Sequence, residues 1–96
     1  MAKIEFAPEI QSDFERIVNH LAEYQGSNPD LRIEEIFVAI DVLQSSPYLG
    51  RPRGDLRELI IGKKARGYIA LYDYNEVEDI VLVLAIRSQR EAGYSE

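Results

Sequence analysis

The stretch that decides the fold is GDLRELIIGKKARGYIALYDY, residues 54–74. It contains two runs rich in aliphatic and aromatic side chains, at Leu56–Ile61 and at residues 68–74, and such runs predict β-strands. The connection between them, residues 62–67, begins and ends with glycine and carries basic side chains, which is typical of a hairpin tip. This stretch therefore predicts two antiparallel strands joined by a basic turn.

A third strand is predicted after a turn at Asn75 and Glu76, at about residues 79–86. Its sequence, IVLVLAI from Ile80 onward, is apolar on both faces. Such a strand suits a central position covered on both sides, or one face covered by a partner. Near the start of the chain, residues 3–7 alternate enough to predict one more short strand.

Two amphipathic helices are predicted between the first strand and the hairpin. Residues 8–25 carry apolar side chains at helical spacing, with Pro8 in the first turn and Gly26 at the end. A second helix begins with Asn28 as the cap and Pro29 at the first helical position. Residues 45–54 hold two prolines and two glycines and are expected to be a loop.

The predicted element order is β-α-α-β-β-β, which makes an α+β fold. The two helices form an antiparallel hairpin packed on one face of a small, mostly antiparallel sheet. The first strand is expected beside the last one, because a long connection separates it from the others. With 96 residues, the chain is expected to form one domain over residues 1–96.

Charge is distributed unevenly along this acidic chain. The formal net charge is -6, yet residues 51–72 contain six basic side chains against only two acidic ones. The whole protein would not be drawn to nucleic acid by its long-range field, whereas one face could be. The sequence holds no cysteine, no metal-ligand cluster and no glycine-rich phosphate loop, so no metal and no cofactor are expected. No signal peptide or membrane-spanning run is visible, and we expect a cytoplasmic protein without a membrane partner.

Four segments together resemble the RelE/ParE family of bacterial toxins. They are residues 47–51 (PYLGR), 56–59 (LREL), 66–72 (RGYIALY) and 87–94 (RSQREAGY). The resemblance covers nearly the whole chain and implies a RelE/ParE-like fold. It also implies a toxin of a type II toxin–antitoxin system, held inactive by a cognate antitoxin.

The family resemblance implies two kinds of target. In the ribonuclease branch, which needs no metal, basic side chains orient the scissile phosphate of mRNA on the ribosome and another side chain moves protons. Arg87 or Arg90 would then contact phosphate and Tyr94 would be the relay. In the other branch the toxin binds DNA gyrase without chemistry of its own. The expected contact residues for a target or the antitoxin are Arg57, Lys63, Lys64, Arg66, Arg87 and Arg90.

Two features favour the gyrase branch. The chain is acidic overall, and Ser88 stands where related proteins often carry a histidine. The only histidine, His20, is expected to be a partly buried residue of the first helix. An mRNA endonuclease and a non-toxic relative that still binds antitoxin remain the alternatives, and both a homodimer and a toxin–antitoxin hetero-oligomer stay open.

Two interpretations compete for several of these residues. Tyr68, Tyr72 and Tyr74 share strand parity, so they either pack in the core or offer rings for base stacking. Arg57 either contacts a target or forms a structural ion pair near Glu58 or with Asp73. Arg87 and Arg90 follow a rigid apolar strand, which is how binding side chains are held in place.

Overall fold

The computed structural model describes residues 1–24, 29–62 and 67–89. In chain order the elements are β1 (Lys3–Phe6), α1 (Ile10–Tyr24), α2 (Pro29–Asp41), a short 3₁₀ helix (Val42–Gln44), β2 (Arg51–Arg53), β3 (Leu56–Ile61), β4 (Tyr68–Asn75) and β5 (Ile80–Ser88). The predicted cap at Asn28 lies outside the described residues, and Pro29 does occupy the first position of α2.

The strands form one sheet in the order β1-β5-β4-β3-β2. Only the β1/β5 pair is parallel, and the other three pairs are antiparallel. The predicted position of the first strand beside the last is therefore confirmed. β5 lies between β1 and β4, and this inner position explains why its sequence is apolar throughout.

β2 lies within residues 45–54, for which the sequence predicts a loop. Arg51 pairs with Glu58 and Arg53 pairs with Leu56 at the outer edge of the sheet. Pro52 is compatible with an edge strand because its missing N–H faces no further neighbour. Gly54, with φ of 59°, closes the tight turn into β3. A strand of three residues with a central proline gives no periodic signal, which is why it was missed.

The core lies between the two helices and one face of the sheet. Its fully buried side chains come from α2 and the segment after it, from β4 and from β5; they are Ile36, Ile40, Leu43, Tyr72, Val81, Val83 and Ile86. At the outer side of the core, the Phe37 ring stacks on Phe14 with centroids 5.0 Å apart and meets Phe6 edge-on at 5.8 Å. This aromatic group joins α1, α2 and β1.

β5 extends farther than the sequence predicted, and it is irregular. It runs to Ser88, so Arg87 is part of the strand and does not follow it. Opposite the step from Leu71 to Tyr72, the register of β5 jumps from Ala85 to Val83. Such a bulge leaves one extra residue and re-aims the side chains that come after it. None of the helices within the described ranges is long and apolar enough to cross a membrane.

Candidate functional site

Arg87 is anchored by a buried carboxylate at the end of β5. Its guanidinium donates from Nη1 to Asp13 Oδ1 at 2.9 Å and to the Ile86 carbonyl at 3.3 Å. The Arg87 side chain remains 47% exposed, whereas that of Asp13 is only 10% exposed. The cation is therefore held at a defined position and still faces solvent.

The same carboxylate also completes the edge of the sheet. β1 ends at Phe6, opposite Val83, and beyond that point no strand among the described residues pairs with this edge of β5. There the Ile86 N–H donates to Asp13 Oδ2 at 3.0 Å, and the Ile86 carbonyl accepts from Arg16 Nη2 at 3.1 Å. Asp13 and Arg16 thus satisfy backbone groups that a sixth strand would otherwise pair.

Arg16 closes this arrangement from the side of α1. Its Nη1 donates to Asp13 Oδ1 at 3.0 Å, so two guanidinium groups share one carboxylate oxygen. Burial by itself would raise the pKa of Asp13. The Ile86 N–H, the Arg16 hydrogen bond and the charges of Arg87 and Arg16 outweigh burial and lower the pKa of Asp13 below its ordinary value of 3.8. Asp13, Arg16, Arg87 and the Ile86 backbone are called the Asp13 cluster below.

Sequence reasoning singled out neither Asp13 nor Arg16. A signal for Asp13 was present, because it lies three residues after Ile10 and four before Ile17, both buried on the inner face of α1. A carboxylate at an inward helical position needs partners. The bulge that frees Ile86 for this role has no counterpart in the sequence pattern.

Arg57 is placed differently, as a support of the loop before β2. Its Nη1 donates to the carbonyls of Tyr48 and Gly50 at 3.2 and 2.6 Å, and its guanidinium carbon lies 4.9 Å from the centre of the Tyr48 ring. A contact between Arg57 and a target stays a prediction. The predicted ion pair of Arg57 with Asp73 is replaced by these contacts to the loop.

A buried tyrosine holds the same loop from below. The Tyr72 hydroxyl accepts from the Gly50 N–H at 2.9 Å and donates to the Pro47 carbonyl at 2.8 Å. A Cβ added at Gly50 would lie 2.7 Å from the Tyr72 ring, so glycine is required for this close approach. Burial raises the pKa of Tyr72, although the Gly50 hydrogen bond and the charge of Arg57 act in the opposite direction.

Two further arginines of the basic stretch are paired through one carboxylate. Glu58, which is only 5% exposed, accepts from Arg51 Nε at 3.1 Å and from Arg53 Nη1 at 2.6 Å. Together with Arg57, these contacts engage the three arginines of residues 51–57. The excess of basic residues in this stretch is therefore partly structural.

The structure brings few of the predicted site residues together. Lys63, Lys64, Arg66, Arg90 and Tyr94 lie outside the described residues. Arg57 pairs with Tyr72 of β4, and Arg87 pairs with Ile69 of the same strand. Because these two partners are three positions apart on β4, the two arginines lie on opposite faces of the sheet. Each arginine contacts a different part of the protein.

The three tyrosines of β4 face the core, whereas the histidine faces solvent. Tyr68 and Tyr72 are 8% and 0% exposed, and Tyr74 packs against the same core, so the prediction that they share one face is confirmed. Base stacking on Tyr68 or Tyr72 was the wrong alternative, because their rings are covered. The prediction for His20 was also wrong, since this residue is exposed on α1. Among the residues described, no group of three or more His, Asp or Glu could hold a metal ion.

Comparison with known proteins gives a match over nearly the whole chain. The family model described as ParE toxin of type II toxin-antitoxin system, parDE, matches residues 4–93. No curated protein sequence matches the chain.

Solved structures share the fold at low sequence identity. A chain of the chromosomal ParDE toxin–antitoxin system from P. aeruginosa superimposes with a TM-score of 0.73 at 16% identity, covering 92% of this chain and 96% of that one. A chain of the intact E. coli RelBE toxin–antitoxin complex gives a TM-score of 0.63 at 14% identity, with the same two coverages of 92% and 96%. A double arginine-to-alanine variant of E. coli RelE in the free state gives 0.62 at 16% identity, covering 97% of this chain and 90% of that chain.

Proposed function

Since the chain belongs to the ParE toxin family of type II toxin–antitoxin systems, we propose that it arrests growth by binding DNA gyrase and is neutralised by a cognate antitoxin. The family match over residues 4–93 is the observation that carries this proposal. The toxin would act in the cytoplasm, where gyrase is found.

Arg87 is the residue that we propose as the centre of the contact surface. It lies near the end of β5, beyond the part of that strand that pairs with β1, and Asp13 fixes one side of its guanidinium. A cation held in this way loses little conformational entropy on binding, which favours it as a contact residue. Lys63, Lys64, Arg66 and Arg90 are proposed as further contacts with gyrase or the antitoxin.

Arg57 supports this surface indirectly in our proposal. Its bonds to Tyr48 and Gly50 hold the loop before β2, and its guanidinium covers the Tyr48 ring. We expect its substitution to lower stability before it alters recognition of the target.

An mRNA endonuclease on the same fold is the alternative. It would use Arg87 and Arg90 for the phosphate and Tyr94 as the proton relay. Two observations speak for gyrase over this alternative. Ser88, at the end of β5, has no basic side chain to exchange a proton near neutral pH, and the chain's net charge of -6 opposes long-range steering to the ribosome.

Controlled expression in bacterial cells tests the proposal. Induction without antitoxin is expected to stop growth with DNA breaks and an SOS response, and co-expression of the protein encoded by the neighbouring gene should restore growth. Rapid loss of translation with cleaved mRNA would support the endonuclease instead. Normal growth with soluble, folded protein would support a non-toxic relative.

A further inference from the structure

The solvent side of α2 carries an apolar stripe. Leu31, Val38 and Val42 are 57%, 59% and 43% exposed, whereas the opposite face of the same helix buries Ile36 and Ile40 completely. Val42 begins the short 3₁₀ helix that directly continues α2. Helical side chains that are seven or four positions apart lie above one another, so the three exposed side chains form one continuous row.

Together with Glu35, this row has the spacing of a helix–helix seam. Positions 31, 35, 38 and 42 follow one another at intervals of four, three and four residues, which is the a/d spacing of a heptad pattern. Glu35 is the one polar member, and it pairs with Arg32 beside the row at 3.5 Å. Single exposed aliphatic side chains are normal on a surface, whereas three in this register match what an amphipathic helix packs against.

Acidic side chains flank the apolar stripe on one side. Glu34 lies three positions after Leu31, and Asp41 lies three positions after Val38, so both carboxylates stand on the same flank. Both side chains are exposed. In paired helices, these flanking positions select the partner by charge, and carboxylates there favour lysine or arginine on the other helix.

The same carboxylates disfavour other occupants of the stripe. A second copy of α2 would bring its own Glu34 and Asp41 to the seam, and like charges there are unfavourable. Nucleic acid and the surface of an anionic membrane carry negative charge as well. An acidic antitoxin segment, of the kind that would cover Arg87, fits the stripe equally badly.

We infer that α2 is a docking surface for an amphipathic helix of a further protein partner. The partner helix places an apolar row against Leu31, Val38 and Val42, and basic side chains opposite Glu34 and Asp41. This surface goes beyond the proposed function, because none of its residues belongs to the Asp13 cluster and it requires neither gyrase nor the antitoxin.

Two synthetic peptides, used with the purified full-length protein, test this inference. Each is an amphipathic helix of about three heptads with leucine along one row; one peptide carries lysine at the flanking positions and the other carries glutamate. Fluorescence anisotropy of the labelled peptides gives the Kd at low and at raised ionic strength. We expect the lysine peptide to bind, with a Kd that rises with salt, and the glutamate peptide to bind at least about tenfold more weakly.

Val38→Gln tests the apolar part of the surface. This position is 59% exposed, so the substitution should leave the fold intact, and the thermal midpoint checks that it does. We expect the Kd of the lysine peptide to rise at least about fivefold, which is the scale of losing one central apolar contact of an interface.

A double charge reversal tests the acidic flank. Glu34→Lys combined with Asp41→Lys should reverse the preference, so that the glutamate peptide binds better than the lysine peptide. The matched control combines Glu15→Lys with Glu76→Lys, which changes the net charge equally at exposed positions outside α2. At raised ionic strength this control should bind the lysine peptide within about twofold of the wild type.

Four results would each overturn the inference. Equal losses of affinity in the two double variants would show that the peptide follows the net charge of the protein. A Kd unchanged by Val38→Gln would show that the apolar row makes no contact. A dimer of the wild type in sedimentation equilibrium that Val38→Gln abolishes would make a second copy the occupant. A weaker complex of Val38→Gln with the antitoxin would assign the stripe to the antitoxin. Since none of these measurements involves gyrase, each leaves the proposed gyrase target standing.

Discussion

The Asp13 carboxylate lies 2.9 Å from the Arg87 guanidinium, although 74 positions of sequence separate the two residues. This contact connects the first turns of α1 to the end of β5. It fixes the side chain that we place at the centre of the recognition surface. It also lies just past the point where β1 stops pairing with β5. There Asp13 accepts a hydrogen bond from the Ile86 N–H as well. One carboxylate thus serves both the fold and the candidate site.

Replacing Asp13 by alanine should destabilise the protein substantially. The change leaves the buried Ile86 N–H without an acceptor and removes the counter-ion of Arg16 and Arg87. We expect a loss of about 2–4 kcal/mol in the free energy of unfolding, measured by urea denaturation. The exposed residue Glu15 on the same helix provides the control, since Glu15→Ala should change the free energy by less than about 0.5 kcal/mol. Equal effects of the two substitutions would refute the structural role of Asp13.

The stability should also depend on pH through Asp13. Because the pKa of Asp13 is lowered in the folded protein from its ordinary value of 3.8, the folded state favours the ionised form. The resulting stabilisation is fully present above the unfolded pKa and disappears as the pH falls through the folded pKa. Urea titrations from neutral pH down to about pH 2.5 should show the difference between wild type and Asp13→Asn shrinking on the acid side. A difference that stays constant over this range would show that ionisation of Asp13 contributes nothing.

The sequence predicted the parts of the fold that depend on periodicity. The runs at Leu56–Ile61 and residues 68–74 became β3 and β4, and the second predicted amphipathic helix became α2, which buries Ile36 and Ile40 completely. β2 was not predicted, because three residues with a central proline show no alternation of apolar and polar side chains. The Asp13 cluster was not predicted for another reason. It depends on where β1 ends and where β5 bulges, and no local sequence pattern indicates either position.

The candidate site was predicted only in part, for a similar reason. Arg87 was selected because a rigid apolar strand precedes it, and the structure does place it on β5 with an exposed guanidinium. A count of charges cannot distinguish a cation that faces a partner from one that holds a loop. Arg57 and Arg87 therefore looked alike in the sequence, whereas the contacts of Arg57 to Tyr48 and Gly50 are those of a loop support.

Removing the Tyr72 hydroxyl should weaken the loop before β2. In Tyr72→Phe the buried Gly50 N–H loses its acceptor and the Pro47 carbonyl loses a donor. A cost of about 1–3 kcal/mol in the free energy of unfolding is expected from one unsatisfied buried group. Tyr74→Phe is the matched variant. The Tyr74 hydroxyl donates to the side chain of Asp79 in a more exposed position, so its removal should lower the free energy of unfolding by less. The reverse order of the two costs would contradict the role that we assign to Tyr72.

Growth inhibition should depend more strongly on the charge of Arg87 than on its ion pair with Asp13. Arg87→Gln removes the cation, whereas Asp13→Asn breaks the same pair and leaves the arginine in place. We expect the first variant to lose toxicity and the second to retain most of it when both are expressed to the same soluble level. Toxicity of Arg87→Gln equal to that of the wild type would show that the contact surface lies elsewhere.

The most direct test of the central claim is a DNA supercoiling assay with purified gyrase and purified, folded toxin. The proposed function predicts that the toxin inhibits supercoiling, that the cognate antitoxin relieves the inhibition, and that Arg87→Gln inhibits at least about tenfold less well, the scale of losing one buried charge-assisted contact at an interface. Full gyrase activity at toxin concentrations well above that of the enzyme would contradict it, and a cleavage assay on mRNA-programmed ribosomes would then test the endonuclease alternative.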